Sequence, residues 1–523
     1  MPLGWDQQAT FHRSSRLNMG IGAFHYVFPV SENVLVLFPN RTSSLKSSSI
    51  QNSLRCLLYD KETVSSCLQH MSMKNIEELR ALGLFEARVP RYTSYPTAAV
   101  FTPQVGADLQ REALHSLDSD VPVSVYIHIP FCERLCWFCA CHTQGTKTLG
   151  PVESYVETLE AELSLLRLTL PEGVRMGRLH WGGGTPTILP PPLIHRLARA
   201  IRAVFPPHDT FEFSVEIDPT MVDRAKIDAL AEEGMTRASI GIQDFDPKVQ
   251  AAIGRIQPFD ITQACVEDLR AAGITSLNAD LVYGLPHQTT ERIADTIAKV
   301  RSFAPDRVAL FGYAHVPWVS KRQKLIDEEA LPDDMARYRL ATLASAALTD
   351  AGMTAIGIDH FARPGDTLDT AFRTGRLRRN FQGYTTDSCQ TLIGLGASSI
   401  SRFPAGYVQN AAATPGYVKR IHAGTLAGSR GYKLTDEDAL RARAIELLMC
   451  DFRLDLDELQ SECGPRARSL TPILLGIAAK YGDLVHLADQ RLGISPEGRP
   501  LTRMIAAEFD QHVPDRLTYS RAS

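Results

Sequence analysis

Between residues 121 and 320, short apolar runs alternate with stretches of helical period. The runs lie at 123–129, 178–183, 211–217, 237–243, 276–283 and 307–314. They are rich in Val, Ile, Leu and aromatic side chains, the signature of strands. Between them, residues 152–169, 193–204, 221–233, 260–272 and 290–303 carry apolar positions at the spacing of a helix face. Alternating strands and helices predict an α/β fold, a parallel sheet with right-handed crossovers. Six units are too few to close an eight-stranded barrel. In parallel β/α folds function gathers at the C-terminal ends of strands, and the informative residues here fall at those ends.

The pattern changes on either side. Residues 73–120 read as an N-terminal arm holding the proline-bounded run Pro90-Arg-Tyr-Thr-Ser-Tyr-Pro-Thr-Ala98. After residue 320 the chain turns mostly helical, with helices expected at 334–351, 441–449 and 503–511. Residues 321–430 are expected to complete the barrel and connect it to a helical C-terminal domain, 431–523. Residues 1–72 are Ser-rich, poor in acids and weakly periodic. They are expected to be disordered or poorly packed, as sequence translated from a start assigned too early or, as the alternative, a transit peptide.

Composition narrows the class. Hydrophobic content of 44% and charged content of 22% suit a soluble globular protein. A net charge of −4 leaves no footprint for nucleic acid. No apolar run approaches the roughly 20 residues of a membrane span. Four of the ten cysteines lie between 132 and 141 and the rest are scattered. That usage suits a metal centre in a reducing, cytoplasmic setting better than a disulfide scaffold. No long heptad argues for more than a monomer.

The densest chemistry lies in Tyr126-Ile-His-Ile-Pro-Phe-Cys-Glu-Arg-Leu-Cys-Trp-Phe-Cys-Ala-Cys141. Cys132, Cys136 and Cys139 form a C-x3-C-x2-C set after a strand. Three thiolates can hold three irons of a 4Fe–4S cluster and leave the fourth open. Cys141 is near enough to be a fourth ligand, although four thiolates in ten residues would strain the loop. A structural zinc site is the alternative, but no second Cys or His pair of suitable spacing accompanies this one.

The stretch resembles the signature loop of radical S-adenosylmethionine (SAM) enzymes. With its flanking residues and Cys141, it resembles the oxygen-independent coproporphyrinogen III dehydrogenase family within them, over about residues 85–515. The resemblance implies an open six-unit partial barrel, a 4Fe–4S cluster on Cys132, Cys136 and Cys139, and two SAM molecules. It assigns Tyr126, Gly183, Glu216 and Ile400 to a first SAM. It assigns Phe138, Gly184, Thr185, Gln243, Arg255, Asp280 and Ala314 to a second, whose residues could instead line substrate. Many members have Asn before the arginine that Arg255 matches, whereas this chain has Gly254.

Other readings of the same residues stay open. The triplet Gly182-Gly-Gly184 is on its own a tight turn, and Glu216 a strand-end ion pair. His128, Cys141 and His315 are candidate catalytic groups, the histidines equally well packed core residues. Arg91, Arg363, Arg378 and Arg379 are candidate partners for substrate carboxylates. The expected reaction converts two propionates of a porphyrinogen substrate, coproporphyrinogen III, to vinyl groups, giving protoporphyrinogen IX, with an unidentified electron donor and acceptor. A haem chaperone of the same superfamily is the nearest alternative; such relatives generally lack a Cys at position 141 and the runs 90–98 and 379–386.

Overall fold

The strand β1, Val123–Ile129, is buried along its whole length and runs through the middle of a twelve-stranded sheet. The computed structural model describes residues 73–512 together with Tyr519, Arg521 and Ala522; the expectation for residues 1–72 falls outside them. On one side of β1 follow β2 (Met176–Gly183), β3 (Pro207–Ile217), β4 (Met235–Gln243), β5 (Ser276–Tyr283) and β6 (Arg307–Gly312), all parallel. These are the six strands expected from the pattern, within a few residues at each end.

Two antiparallel extensions enlarge this wall. Beyond β6 lie β7 (Thr354–Ile356) and β8 (His360–Ala362), in the order β6-β8-β7. On the other side β9 (Leu392–Leu395) pairs parallel with β1, placing Gly394 opposite Tyr126. Strands β10 (Ile400–Phe403), β11 (Gly406–Asn410) and β12 (Gly428–Lys433) continue from it, antiparallel. The parallel wall therefore has a seventh strand that the sequence pattern does not reveal. Strands β9 to β12 are four to six residues long, and glycine interrupts β9 at Gly394 and β12 at Gly431. Such segments become strands through their neighbours rather than by propensity.

Along the six strands the side chains alternate as a pleated strand requires. Leu179, Trp181, Phe213, Val215, Ile240 and Leu281 join the main core beneath the helices. Their neighbours Arg178, His180, Ser214, Glu216, Ser239 and Asp280 line an inner cavity of about 200 Å³. The helices take the outer face. In Thr290–Ser302, Thr289 accepts from the Arg292 backbone N–H as the cap. Ile293, Ala294, Ile297 and Val300 form its buried stripe.

A second core joins the arm to the C-terminal domain. Leu84, Phe85, Tyr92 and Tyr95 pack with Leu448, Leu474 and Phe509. The Tyr92 hydroxyl donates to Asp510 Oδ2 at 3.0 Å, and the Gln511 backbone N–H donates to the Tyr95 hydroxyl at 3.1 Å. The helix Asp436–Asp451 opens with a reciprocal cap between Thr435 and Asp438. Helices predominate here, but Arg453–Asp455, Val485–Ala488 and Arg491–Ile494 add a small antiparallel sheet.

Candidate active site

The cysteine loop leaves β1 and folds back on the end of β2. Gly184 N–H donates to Ile129 O and Thr185 N–H to Phe131 O, both at 2.8 Å. A side chain at Gly184 would place Cβ 2.6 Å from Phe131 O. Gly183 has φ +111°, and its Cβ would lie 2.6 Å from the His128 ring. The glycine triplet therefore first lets two loops meet backbone to backbone.

Cys132 and Cys136 are buried and Cys139 half-buried; Cys141 is exposed. Among the described residues no three His, Cys, Asp or Glu side chains converge on a single-ion site. Cys132, Cys136 and Cys139 come from one short loop, and a 4Fe–4S cluster takes such thiolates one to each iron. Hydrogen-bond donors face them. Arg255 Nη1 lies 3.5 Å from Cys136 Sγ, and the Cys141 N–H lies 3.4 Å from Cys139 Sγ. Such donors suit thiolate sulfur, so the residues present fit a 4Fe–4S cluster. Burial pushes the Cys132 thiol up to about 11. Hydrogen bonding from Cys141 holds Cys139 down at about 6 against the effect of burial.

Arg255 is buried and fully engaged. It donates to Gly241 O at 2.8 Å and Gln257 Oε1 at 3.0 Å, and pairs with Asp218 Oδ2 at 3.0 Å. Burial pulls the guanidinium down, but Asp218 and Cys136 outweigh it. Asp218 also meets Arg134 at 3.6 Å. From the far side, Gln323 Nε2 donates to Phe138 O at 2.7 Å, Ser320 Oγ to Cys139 O at 2.9 Å, and Arg322 Nη2 to Cys141 O at 3.1 Å. Sequence reasoning missed Asp218, Gln257, Arg322 and Gln323. Only Asp218 carried a signal, as the second acid of Glu216-Ile-Asp218 at a strand end.

The residues expected around a first SAM come together. Tyr126 stacks on His180 at 5.7 Å. His180 Nε2 lies 3.3 Å from Glu216 Oε1, and Gly183 N–H donates to Glu216 Oε2 at 3.0 Å. Burial raises the Glu216 carboxyl, but His180 and the Gly183 N–H overcome it and keep it below its usual range. Ile400 O lies 2.9 Å from where a Gly394 Cβ would sit, beside Tyr126.

Of the second set, Phe138 and Ala314 are held together by Gln323, whose Nε2 donates to Phe138 O at 2.7 Å and to Ala314 O at 3.1 Å. Gly184, Thr185, Gln243 and Arg255 surround the cysteine loop, and Phe138 packs nearby with Trp137 against Val249 and Val282. Gln243 has φ +70°, and its Nε2 lies 3.0 Å from where a Gly241 Cβ would sit. Asp280 lies in the inner cavity with Glu216, accepting from Ser239 Oγ at 2.8 Å and Asn278 Nδ2 at 2.7 Å. Ala314 lines a different, larger cavity.

His128 is buried between the Tyr126 hydroxyl and His142 O, each at 3.0 Å, and burial lowers its pKa. It behaves as a packed histidine. His315 bridges the Tyr313 hydroxyl and Glu328, both at 2.9 Å, on the larger cavity. Arg363 is 53% exposed and lies 3.5 Å from Asp306. Arg379 is buried with its guanidinium over the Tyr384 ring at 4.3 Å. Arg91 Nη2 donates to Gly312 O at 2.7 Å, at the end of β6.

Comparison with known proteins agrees with this geometry. Residues 126–300 match the radical SAM superfamily. The oxygen-independent coproporphyrinogen III oxidase of Cereibacter sphaeroides is 61% identical over 86% of this chain and 100% of its own length. The Paracoccus denitrificans protein of the same name is 53% identical over 84% of this chain and 97% of its own. The structure of the Escherichia coli coproporphyrinogen III oxidase (HemN), a radical SAM enzyme, superimposes with a TM-score of 0.78 at 37% identity. That match covers 81% of this chain and 98% of the other. The chain belongs to the oxygen-independent coproporphyrinogen III oxidase family, within the radical SAM superfamily.

Proposed function

We propose that this protein oxidatively decarboxylates two propionate side chains of coproporphyrinogen III to vinyl groups without oxygen, giving protoporphyrinogen IX, releasing one CO2 from each and passing the electron that remains after hydrogen abstraction to an unidentified acceptor. The observation that carries the reading is the joined cysteine and glycine loops in a chain that spans its relatives end to end. The superfamily implies a 4Fe–4S cluster and SAM, which when bound together supply a carbon radical able to take hydrogen from an unactivated C–H bond.

Cys132, Cys136 and Cys139 would hold three irons. Arg255 and the Cys141 N–H would donate to the sulfurs. Tyr126, Gly183, Glu216 and Ile400 would seat SAM, with Glu216 ionised and oriented by His180. Phe138, Gly184, Thr185, Gln243 and Arg255 would flank a second SAM beside the loop. Ala314, joined to Phe138 through Gln323, and Asp280, in the inner cavity with Glu216, would complete its surroundings. The arm and C-terminal domain would keep water from the reacting carbon. A haem chaperone is disfavoured by the relatives described above, which are named as oxidases. The free thiols Cys265, Cys389, Cys450 and Cys463 support a reducing, cytoplasmic setting, and we read the protein as a monomer. No helix among the described residues is long and apolar enough to cross a membrane.

The test is anaerobic turnover of the full chain, reconstituted with iron and sulfide and supplied with reductant, SAM and coproporphyrinogen III. Vinyl product together with 5′-deoxyadenosine, both lost in Cys136→Ala, is the expected result. SAM cleavage with the substrate left intact would refute it. Equilibrium dialysis with labelled SAM counts the bound molecules.

A further inference from the structure

Beside the inner cavity lies a larger one of about 1020 Å³. It is bounded by the ends of β5 and β6, by the helix Asp334–Asp350, by the arm and by the last segment of the C-terminal domain. His360 lines both cavities. Pockets for small molecules commonly measure about 300–1,000 Å³, so this one suits a multi-ring ligand.

Its wall is cationic. Arg88, Arg91, Arg337, Arg499, Arg503 and Arg521 contribute to it, against four carboxylates. Those carboxylates are already engaged. Asp334 pairs with Arg521, and Glu328 with His315 at 2.9 Å. Asp333 caps the helix by accepting from Ala336 N–H at 2.7 Å, and Asp359 holds His360 at 2.7 Å. Among the described residues no carboxylate forms an ion pair with Arg88, Arg91, Arg499 or Arg503. Arg91 donates to Gly312 O, and Arg503 donates to the Pro90, Val89, Arg521 and Ala522 carbonyls. Arg88 lies over the Trp318 ring at 5.5 Å and Arg499 over the Phe452 ring at 4.6 Å. Burial first, then the charge of Arg91, presses Arg503 down to about 9. A positive field of that kind is relieved by bound anions.

We propose that this cavity receives the substrate as a polycarboxylate, with Arg88, Arg91 and Arg499 holding its propionates while the macrocycle lies on Tyr283, Trp318 and Tyr338. This deepens the proposed function and rests on it. The charge excess and the ring-sized volume select a tetra-acid macrocycle over a neutral one. Since His360 is shared by both cavities, a propionate at that wall faces the chamber holding Glu216 and His180. Arg503, bound to four backbone carbonyls, positions the wall.

The test titrates the reconstituted full chain with coproporphyrin III, the oxidised and stable tetra-acid, by fluorescence quenching, alongside its tetramethyl ester. We expect the ester to bind at least tenfold more weakly. Arg91→Gln, Arg88→Gln and Arg499→Gln should each raise Kd for the acid by about tenfold, the scale of one lost charge-assisted hydrogen bond, and shrink the acid–ester gap. Arg91→Lys should recover part of the loss. Arg167→Gln, exposed on the helix Gly150–Thr169 and outside the wall, should bind normally. Equal binding of acid and ester by the unsubstituted protein, a result independent of any variant's folding, would overturn the proposal. So would variants that melt normally and keep the original Kd. Wild-type turnover run in parallel separates the two readings. Vinyl product with unaffected arginine variants sinks only the cavity assignment, whereas no product sinks the function.

Discussion

Arg255 joins two chemistries in one side chain, pairing with Asp218 at 3.0 Å while its Nη1 lies 3.5 Å from Cys136 Sγ. Donation to sulfur favours the more negative, reduced form of an iron–sulfur cluster. Arg255→Gln should therefore lower the cluster potential and slow SAM cleavage by about tenfold or more. Asp218 keeps Arg134 as a partner, so the melting temperature should fall less than loss of a lone buried ion pair would suggest. Redox titration followed by electron paramagnetic resonance, beside a thermal melt, reads both.

Gly254 explains the chain's departure from the Asn found in many members. It has φ +64°, a conformation Asn tolerates, but its Cβ would lie 2.8 Å from the Trp137 indole. The Trp137 backbone N–H donates to Ile253 O at 2.9 Å, fastening the cysteine loop to this turn. Gly254→Asn should displace the indole and reduce iron per chain after reconstitution. The double variant Gly254→Asn/Trp137→Leu should regain most of it. Metal analysis decides, and an additive loss would refute the coupling.

Gly184→Ala meets backbone on both sides, Phe131 O at 2.6 Å and Ile129 O at 2.9 Å, neither of which can rotate away. The expected cost is about 1–3 kcal/mol of stability, with most cluster loading lost. Gly150→Ala, where nothing lies within 4 Å, is the control, and denaturant melts measure the difference.

Asp280 gives the fold a pH dependence. Burial raises its carboxyl from 3.8 to about 6, only partly offset by Ser239 and Asn278. Because the folded pKa exceeds the unfolded one, the folded state is penalised for ionising it. Stability is full below the unfolded pKa near 4 and declines as pH rises through about 6, by an order of 3 kcal/mol. Asp280→Asn should flatten that decline, with no gain at pH 4. Melts across this range test it, and an unchanged slope would count against the assignment.

What could be read from sequence follows from how far each signal reaches along the chain. The six strands were legible because each is a short run rich in Val, Ile, Leu and aromatic side chains set between stretches of helical period, as at Val123–Ile129. The cysteine set was legible by spacing. Asp218, Gln257 and Gln323 were not, because their importance arises from partners brought near by the fold; Gln323 meets Phe138 across 185 residues. Strand β9 was hidden because Gly394 and Gly396 break its pattern, although Gly394 has no room for a side chain against Ile400 O. The second SAM set was carried over residue by residue, and the link from Phe138 to Ala314 through Gln323 is visible only in the fold.

The Arg503 guanidinium holds carbonyls from Val89 and Pro90 near one end of the chain and from Arg521 and Ala522 near the other. It thereby works as a latch. Any opening of the C-terminal domain that left the arm in place would have to break all of these bonds. Entry of a large ring by that route would therefore require arm and domain to move together.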